Sequence, residues 1–193
     1  MVHYVYPQLC VACDRALIEQ EQVLCLECVH NLPLTNYHHI PNNETAQRFA
    51  GRIPFEYASS FAYFTKEGII QKLLHELKYK NNKSVAIFLA KRLAHALKKT
   101  DWIKEIDLII PVPLHQQKYK QRGFNQSELL AVVLADELGI ETNNSALIRI
   151  VNTDTQTHKS RAERAQNMDG AFKLLDQVSL SGKHILLLDD VLT

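Results

Sequence analysis

Four cysteines open the chain as two C-x-x-C pairs, Cys10 with Cys13 and Cys25 with Cys28, and none follows residue 28. Each pair forms a tight knuckle presenting two sulfurs, and the eleven residues between the pairs let one knuckle fold onto the other, as a tetrahedral zinc ion requires. Two disulfides or two redox C-x-x-C motifs are the competing readings. A reducing compartment disfavours the first, and a redox site has no need of a second copy. The expected role of the zinc is structural, because a segment of roughly fifty residues holds too little core to fold without the ion. His3 and His30 flank the cluster and read as surface residues beside four sulfurs.

A second feature lies at the other end of the chain. The run His184 to Asp190 (HILLLDD) reads as a buried strand that finishes in two adjacent carboxylates, Asp189 and Asp190. Side-by-side acids at a strand end can accept hydrogen bonds from the vicinal hydroxyls of a ribose, or hold a magnesium ion through water. A helix-capping acid beside a structural acid is an equal alternative. Another apolar run, Ile106 to Val112, leads into Lys118, Lys120 and Arg122, with Gly123 at the bend. Cations on a glycine-hinged loop suit a pyrophosphate, and a solvated loop is the competing reading. Lysines and arginines between Lys66 and Lys99 make that region basic; a solvated face is the ordinary explanation and a phosphate-backbone track the sharper one. The doubled histidine His38-His39 reads as solvated.

These residues need a scaffold. Tyr57 to Phe64 is rich in aromatics and reads as a strand, and Ile69, Ile70, Leu73, Leu74 and Leu77 repeat at helical spacing. A second helix is expected from about Ser84 to Lys99, with Val85, Phe88, Leu89, Leu93, Ala96 and Leu97 as its buried stripe. After the strand over 106–112 and its Lys- and Gln-rich loop, Asn125 with Glu128 forms the N-cap and N3 pair of a capping box, and Gly139 suits a left-handed C-terminal cap. Ala146 to Val151 reads as a strand and Ser160 to Met168 as a short helix. Strands alternating with helices argue for an α/β fold with a parallel sheet, in which ligands sit at the carboxyl ends of the strands. Asn31 to Pro54, with three prolines and little periodicity, reads as a linker.

The 193 residues, 46% hydrophobic and 22% charged, describe an ordinary globular protein and exclude a disordered or collagenous chain. A net charge of +1 supplies no global field toward nucleic acid or membrane, so any such binding must be local. No run approaches the ~18 apolar residues of a membrane span, and the first residues lack the pattern of a signal peptide. The expectation is a cytoplasmic protein without membrane insertion.

Three blocks carry a resemblance: PVPLHQQKYKQRGFNQ (111–126), TQTHKSRAERAQNMDGAF (155–172) and ILLLDDVLT (185–193). Together with the four-cysteine segment they resemble the ComF family of competence-associated proteins over nearly the whole chain. The resemblance implies a zinc-binding segment with linker over 1–50, then a type I phosphoribosyltransferase-like (Rossmann-like) domain over 51–193. It implies that Asp189 and Asp190 meet the ribose hydroxyls of phosphoribosyl pyrophosphate (PRPP) and that Thr193 begins the loop holding the 5′-phosphate. Lys118, Lys120, Arg122, Gly123 and Asn125 would form the pyrophosphate loop, and Gln156, Arg164 and Asn167 would lie on a mobile loop over the site. In the family the third block continues with a Thr-Gly-Ala-Thr type turn and a helix, so a longer natural protein is expected.

Two functions follow from the resemblance. One is a protein that binds a PRPP-like ligand with Mg²⁺, single-stranded DNA (ssDNA), or both, and works with other DNA-uptake proteins in the cytoplasmic stage of natural transformation. The other is an active Mg-dependent phosphoribosyltransferase, resembling an amidophosphoribosyltransferase, with an unidentified acceptor. A thiol redox protein is the third reading, disfavoured by the duplicated motif.

Overall fold

The computed structural model describes residues 7–151, 170–175 and 179–192. It divides into two compact units, one extending to Lys104 and the other spanning Glu105–Val191. The division therefore falls at 104/105, whereas the sequence suggested 50/51. The cysteine segment shares a unit with the helices that follow it, because Lys72 donates to the Ala12 carbonyl (2.5 Å) and Leu34 bridges Ala62.

In the first unit, α1 (Leu26–His30) follows Cys25, and Asn31–Pro54 is an ordered segment where a linker was expected. It carries a 3-10 turn, Tyr37–His39, and the six-residue α2 (Glu44–Phe49). Its organiser is Asn43, only 4% exposed. The Asn43 Oδ1 caps α2 by accepting from Ala46 N (3.0 Å), while Nδ2 faces the carbonyls of Tyr37 (3.2 Å), Ile40 (2.7 Å) and Ala58 (2.7 Å). One polar side chain thus does what an apolar stripe does elsewhere, which is why periodicity misses the segment. The strand expected over 57–64 is reduced to a single antiparallel bridge at Ala62, flanked by Thr35 N to Phe61 O (3.2 Å) and Tyr63 N to Pro33 O (2.9 Å). The partner segment cannot extend a ladder: Pro33 has no N–H, and Asn36 turns away in the left-handed region at φ 56°.

Helices α3 (Ile69–Tyr79) and α4 (Lys83–Leu97) pack against each other. The α3 face is the one expected, with Ile70, Leu73, Leu74 and Leu77 buried. On α4 the buried face is Val85, Ala86, Leu89, Ala90, Ala94 and Leu97. Phe88, Leu93 and Ala96, assigned to the core from the sequence, are only half-buried. The helix has turned its alanines inward, since small side chains allow closer approach to the neighbouring elements.

The second unit is built on a three-stranded parallel sheet in which β1 (Leu108–Pro111) lies between β2 (Glu141–Thr142) and β5 (Ile185–Leu188). Every residue of β1 is buried, as its continuous apolar run requires. The strands β1 and β5 pair from Leu108 with Ile185 to Pro111 with Leu188, so both end at one edge. The β5 strand, expected to be buried, is half-exposed, with Leu187 58% accessible, because it is the edge of the described sheet. Helix α6 (Gln126–Leu138) packs across all three strands through Leu130, Ala131, Leu134 and Ala135 and ends at Gly139 in the left-handed conformation (φ 69°).

Two further expectations are corrected. The Lys- and Gln-rich loop contains a helix, α5 (Gln116–Arg122), which buries none of its residues and so leaves no apolar period to detect; Gly123 caps it at φ 80°. The strand expected over 146–151 forms as β3 (Leu147–Arg149) but leaves the parallel sheet, pairing antiparallel with β4 (Phe172–Leu174) in a separate two-stranded sheet. The helix expected over 160–168 lies outside the described residues.

Candidate metal centre and sheet-edge site

The first knuckle runs from Cys10 to Cys13 and closes through Asp14, whose N–H donates to the Cys10 carbonyl (2.9 Å) and whose φ of 60° reverses the chain. Antiparallel contacts on either side, Cys10 N to Arg15 O (2.8 Å) and Leu17 N to Gln8 O (2.7 Å), hold it shut. The second knuckle begins at Cys25, the N-cap of α1, and places Cys28 on the helix. The arm between them is fixed by Glu21, whose two carboxylate oxygens accept from Ile18 N (3.1 Å) and Leu26 N (2.6 Å). Those two N–H groups hold the Glu21 carboxyl below its ordinary range.

All four sulfurs lie within 4.8 Å of one another, and Cys13 Sγ is 3.7 Å from Cys25 Sγ. A tetrahedron with Zn–S bonds of about 2.3 Å has sulfurs about 3.8 Å apart, so the cluster has the size of a four-cysteine zinc centre. Cys10, Cys25 and Cys28 are buried and Cys13 is exposed. Burial pushes the Cys10 thiol up, but N–H groups of Cys25, Ala12 and Cys13 outweigh it and bring the value down to about 7. Cys28 moves the opposite way, raised by burial and then by the neighbouring cysteines. Thiols that resist sharing one site as anions are satisfied by a divalent cation among them. With four sulfur ligands no position is left for substrate, so the cluster fits a structural metal.

The second site is at the carboxyl edge of the parallel sheet. Val112 N donates to Leu188 O (2.8 Å), locking the two strand ends together. Asn125 spans the exit of β1 and the start of α6: its Nδ2 donates to Val112 O (3.0 Å) and its Oδ1 accepts from Ser127 N (3.2 Å). The capping-box expectation is half met, since Asn125 caps through the second residue of the helix. Ser127 Oγ donates to Asp189 Oδ1 (2.9 Å), which also accepts from Asp190 N (2.8 Å). Arg122, at the end of α5, donates from NH1 to Gln126 Oε1 (3.1 Å). Tertiary structure thus brings the acid pair to the first turn of α6, beside the helix that carries Lys118, Lys120 and Arg122. Thr193, Gln156, Arg164 and Asn167 lie outside the described residues.

The chain is 31% identical to the DNA utilization protein YhgH of Escherichia coli over 189 residues, covering 96% of this chain and 78% of that protein. Competence protein F of Haemophilus influenzae is 34% identical to the chain over 125 residues, or 63% of this chain and 55% of that protein. Competence protein ComFC of Bacillus subtilis is 33% identical over 86 residues, covering 45% and 32%. The chain belongs to the ComF family. No family model matches the chain, and no solved structure matches it.

Two residues of this ComF-family site escaped sequence reasoning. Ser127 and Gln126 are 3% and 2% exposed, although both are polar and lie in the first turn of an apolar helix. Ser127 is the link from α6 to Asp189, and Gln126 orients Arg122 while its own Nε2 has no partner among the described residues. Their sequence signal was that Asn-Gln-Ser opens a helix whose remaining inward positions are apolar; buried polar groups at such a point are there to hydrogen bond. No helix among the described residues is long and apolar enough to cross a membrane.

Proposed function

We propose that this protein works in the handling of DNA during natural transformation, binding a phosphoribosyl ligand such as PRPP with Mg²⁺ at the carboxyl edge of the parallel sheet and binding ssDNA as its macromolecular partner. The observation that carries the ligand reading is the juxtaposition of Asp189 with Ser127 and of Arg122 with Gln126 on the first turn of α6. Carboxylates suited to ribose hydroxyls and a cation suited to pyrophosphate lie on elements that meet at one sheet edge, where open α/β sheets bind ligands. Mg²⁺ would supply neutralising charge between the pyrophosphate and the Asp189-Asp190 pair. The DNA reading rests on relatives named for DNA utilization and for competence.

The same geometry supports a second reading, a phosphoribosyltransferase, in which the acid pair stabilises positive charge at the anomeric carbon as pyrophosphate leaves. One experiment separates them: pyrophosphate release from PRPP by the full-length natural protein, with and without ssDNA, nucleobases and amines. Saturable PRPP binding without release supports a binding protein, and acceptor-dependent release supports an enzyme. No PRPP binding in the presence of Mg²⁺ refutes the ligand assignment.

A further inference from the structure

The first unit contains an open groove of ≈ 560 Å³ lined by residues of α4 and of the turn around His38. It is lined by Phe88, Lys91, Arg92 and His95 of α4, by Lys99 just beyond that helix, and by Asn36, His38, His39 and Phe61. Its lining includes no aspartate or glutamate. A solvated helix face ordinarily interleaves both signs of charge, whereas the α4 sequence, KSVAIFLAKRLAHAL, contains no acid at all. Lys91 and Arg92 lie on the helix and Lys99 lies two residues past its end at Leu97, so three cations line the groove with no acid to offset them. The helix dipole accounts for basic groups at the end of α4, but not for Arg92 a turn earlier or for His38 and His39, which also line the groove.

The aromatic groups complete the picture. Phe88 is half-buried because α4 turns its alanines to the core, and the Arg92 guanidinium lies over its ring at 5.0 Å from the centroid. A guanidinium over a ring at that distance makes a cation–π pair that offers both a positive charge and planar surface. Phe61 also lines the groove. A concave strip of cations with planar groups among its lining has the chemistry of a surface that tracks phosphates and stacks bases.

We propose that this groove is a binding site for a single-stranded nucleic-acid segment, with phosphates on Lys91, Arg92 and Lys99 and bases against the Arg92–Phe88 stack and Phe61. A duplex hides its bases and gains nothing from the planar groups, so the site discriminates for single strands. The inference rests on the reading of this protein as one that handles DNA, and it assigns that contact to the first unit, apart from the acid pair.

The test is fluorescence anisotropy with a labelled oligo-dT and a duplex of equal length over a salt series. The parent and a Lys91→Gln/Arg92→Gln/Lys99→Gln variant are compared with Lys66→Gln/Lys83→Gln/Lys173→Gln, which removes three cations that do not line the groove. Three lost phosphate contacts should flatten the slope of log K against log salt by about 2, at about 0.7 per contact, with parent and variant converging as salt rises. Phe88→Leu should weaken binding severalfold without altering the slope, since stacking releases no counterions. Photocrosslinking of 4-thiothymidine-substituted oligo-dT to the parent should mark peptides of α4, a readout that depends on no variant. An equal loss from both triple variants, unchanged binding by the groove variant, equal affinity for duplex, or crosslinks only to the second unit would overturn the groove assignment while leaving DNA handling intact. Absence of any oligo-dT binding by the parent would refute the DNA reading itself.

Discussion

Replacing Asn43 tests whether one side chain holds the segment that carries His38 and His39. Asn43→Ala removes the α2 N-cap, an interaction with Ala46 N that contributes about 0.5–2 kcal/mol at such positions. It also removes amide donation to the carbonyls of Tyr37, Ile40 and Ala58, two of them at 2.7 Å. At about 1 kcal/mol net for each of those two closer bonds, the whole substitution should destabilise the first unit by about 2.5–4 kcal/mol. Asn43→Asp sharpens the test. Aspartate is as good an N-cap, but it has no donor, and it would set a carboxylate against three carbonyl oxygens at a position 4% exposed. It should therefore be at least as damaging as alanine. The protein supplies its own probe, because its single tryptophan, Trp102, stacks on Tyr57 at 5.1 Å and donates from Nε1 to the His38 carbonyl (3.1 Å). Urea unfolding followed by Trp102 fluorescence should show both variants with lowered midpoints. If Asn43→Asp matches the parent, only the cap matters and the three-carbonyl argument is wrong; a loss below about 0.5 kcal/mol for alanine would reject both contributions.

Cys25→Ser should release the metal and loosen the cysteine segment, with metal analysis of the parent giving one zinc per chain; a metal-free parent with that segment intact would reject the centre. Asp189→Asn with Asp190→Asn should abolish PRPP binding in a calorimetric titration with Mg²⁺ while leaving the thermal transition nearly unchanged, and unaltered affinity would make the pair structural. His38 is held below its ordinary 6.5 by burial, then by His39 and Lys99. Between the lowered value and 6.5 the unfolded chain binds more protons than the native one, so the stability involved is complete above about 6.5 and is lost as pH falls through the lowered value. His38→Asn should flatten the decline in the Trp102-detected midpoint over that range, and an unchanged pH profile would remove His38 as its source.

Features that depend on neighbours close in the chain were legible from the residues alone. The Cys10-x-x-Cys13 and Cys25-x-x-Cys28 knuckles are local turns, so spacing suffices to announce a four-sulfur cluster. The α3 stripe, the cap at Asn125, the left-handed end at Gly139 and the fully buried β1 each follow from a few adjacent side chains. Tertiary structure decided whatever required a choice among distant partners. The amphipathic pattern of α4 allowed two faces, and packing selected the one rich in alanine, leaving Phe88 beside Arg92 on the groove. The aromatic run over 57–64 had strand propensity, but a sheet needs a partner with free N–H groups, and the segment around Pro33 offers a single bridge. The Leu147–Arg149 strand was visible, yet its pairing was not, because β propensity carries no information on which edge will accept it. Asn43, 15 residues from the Ala58 carbonyl it serves, and Ser127, 62 residues from Asp189, look like ordinary polar residues until folding buries them beside the groups they satisfy.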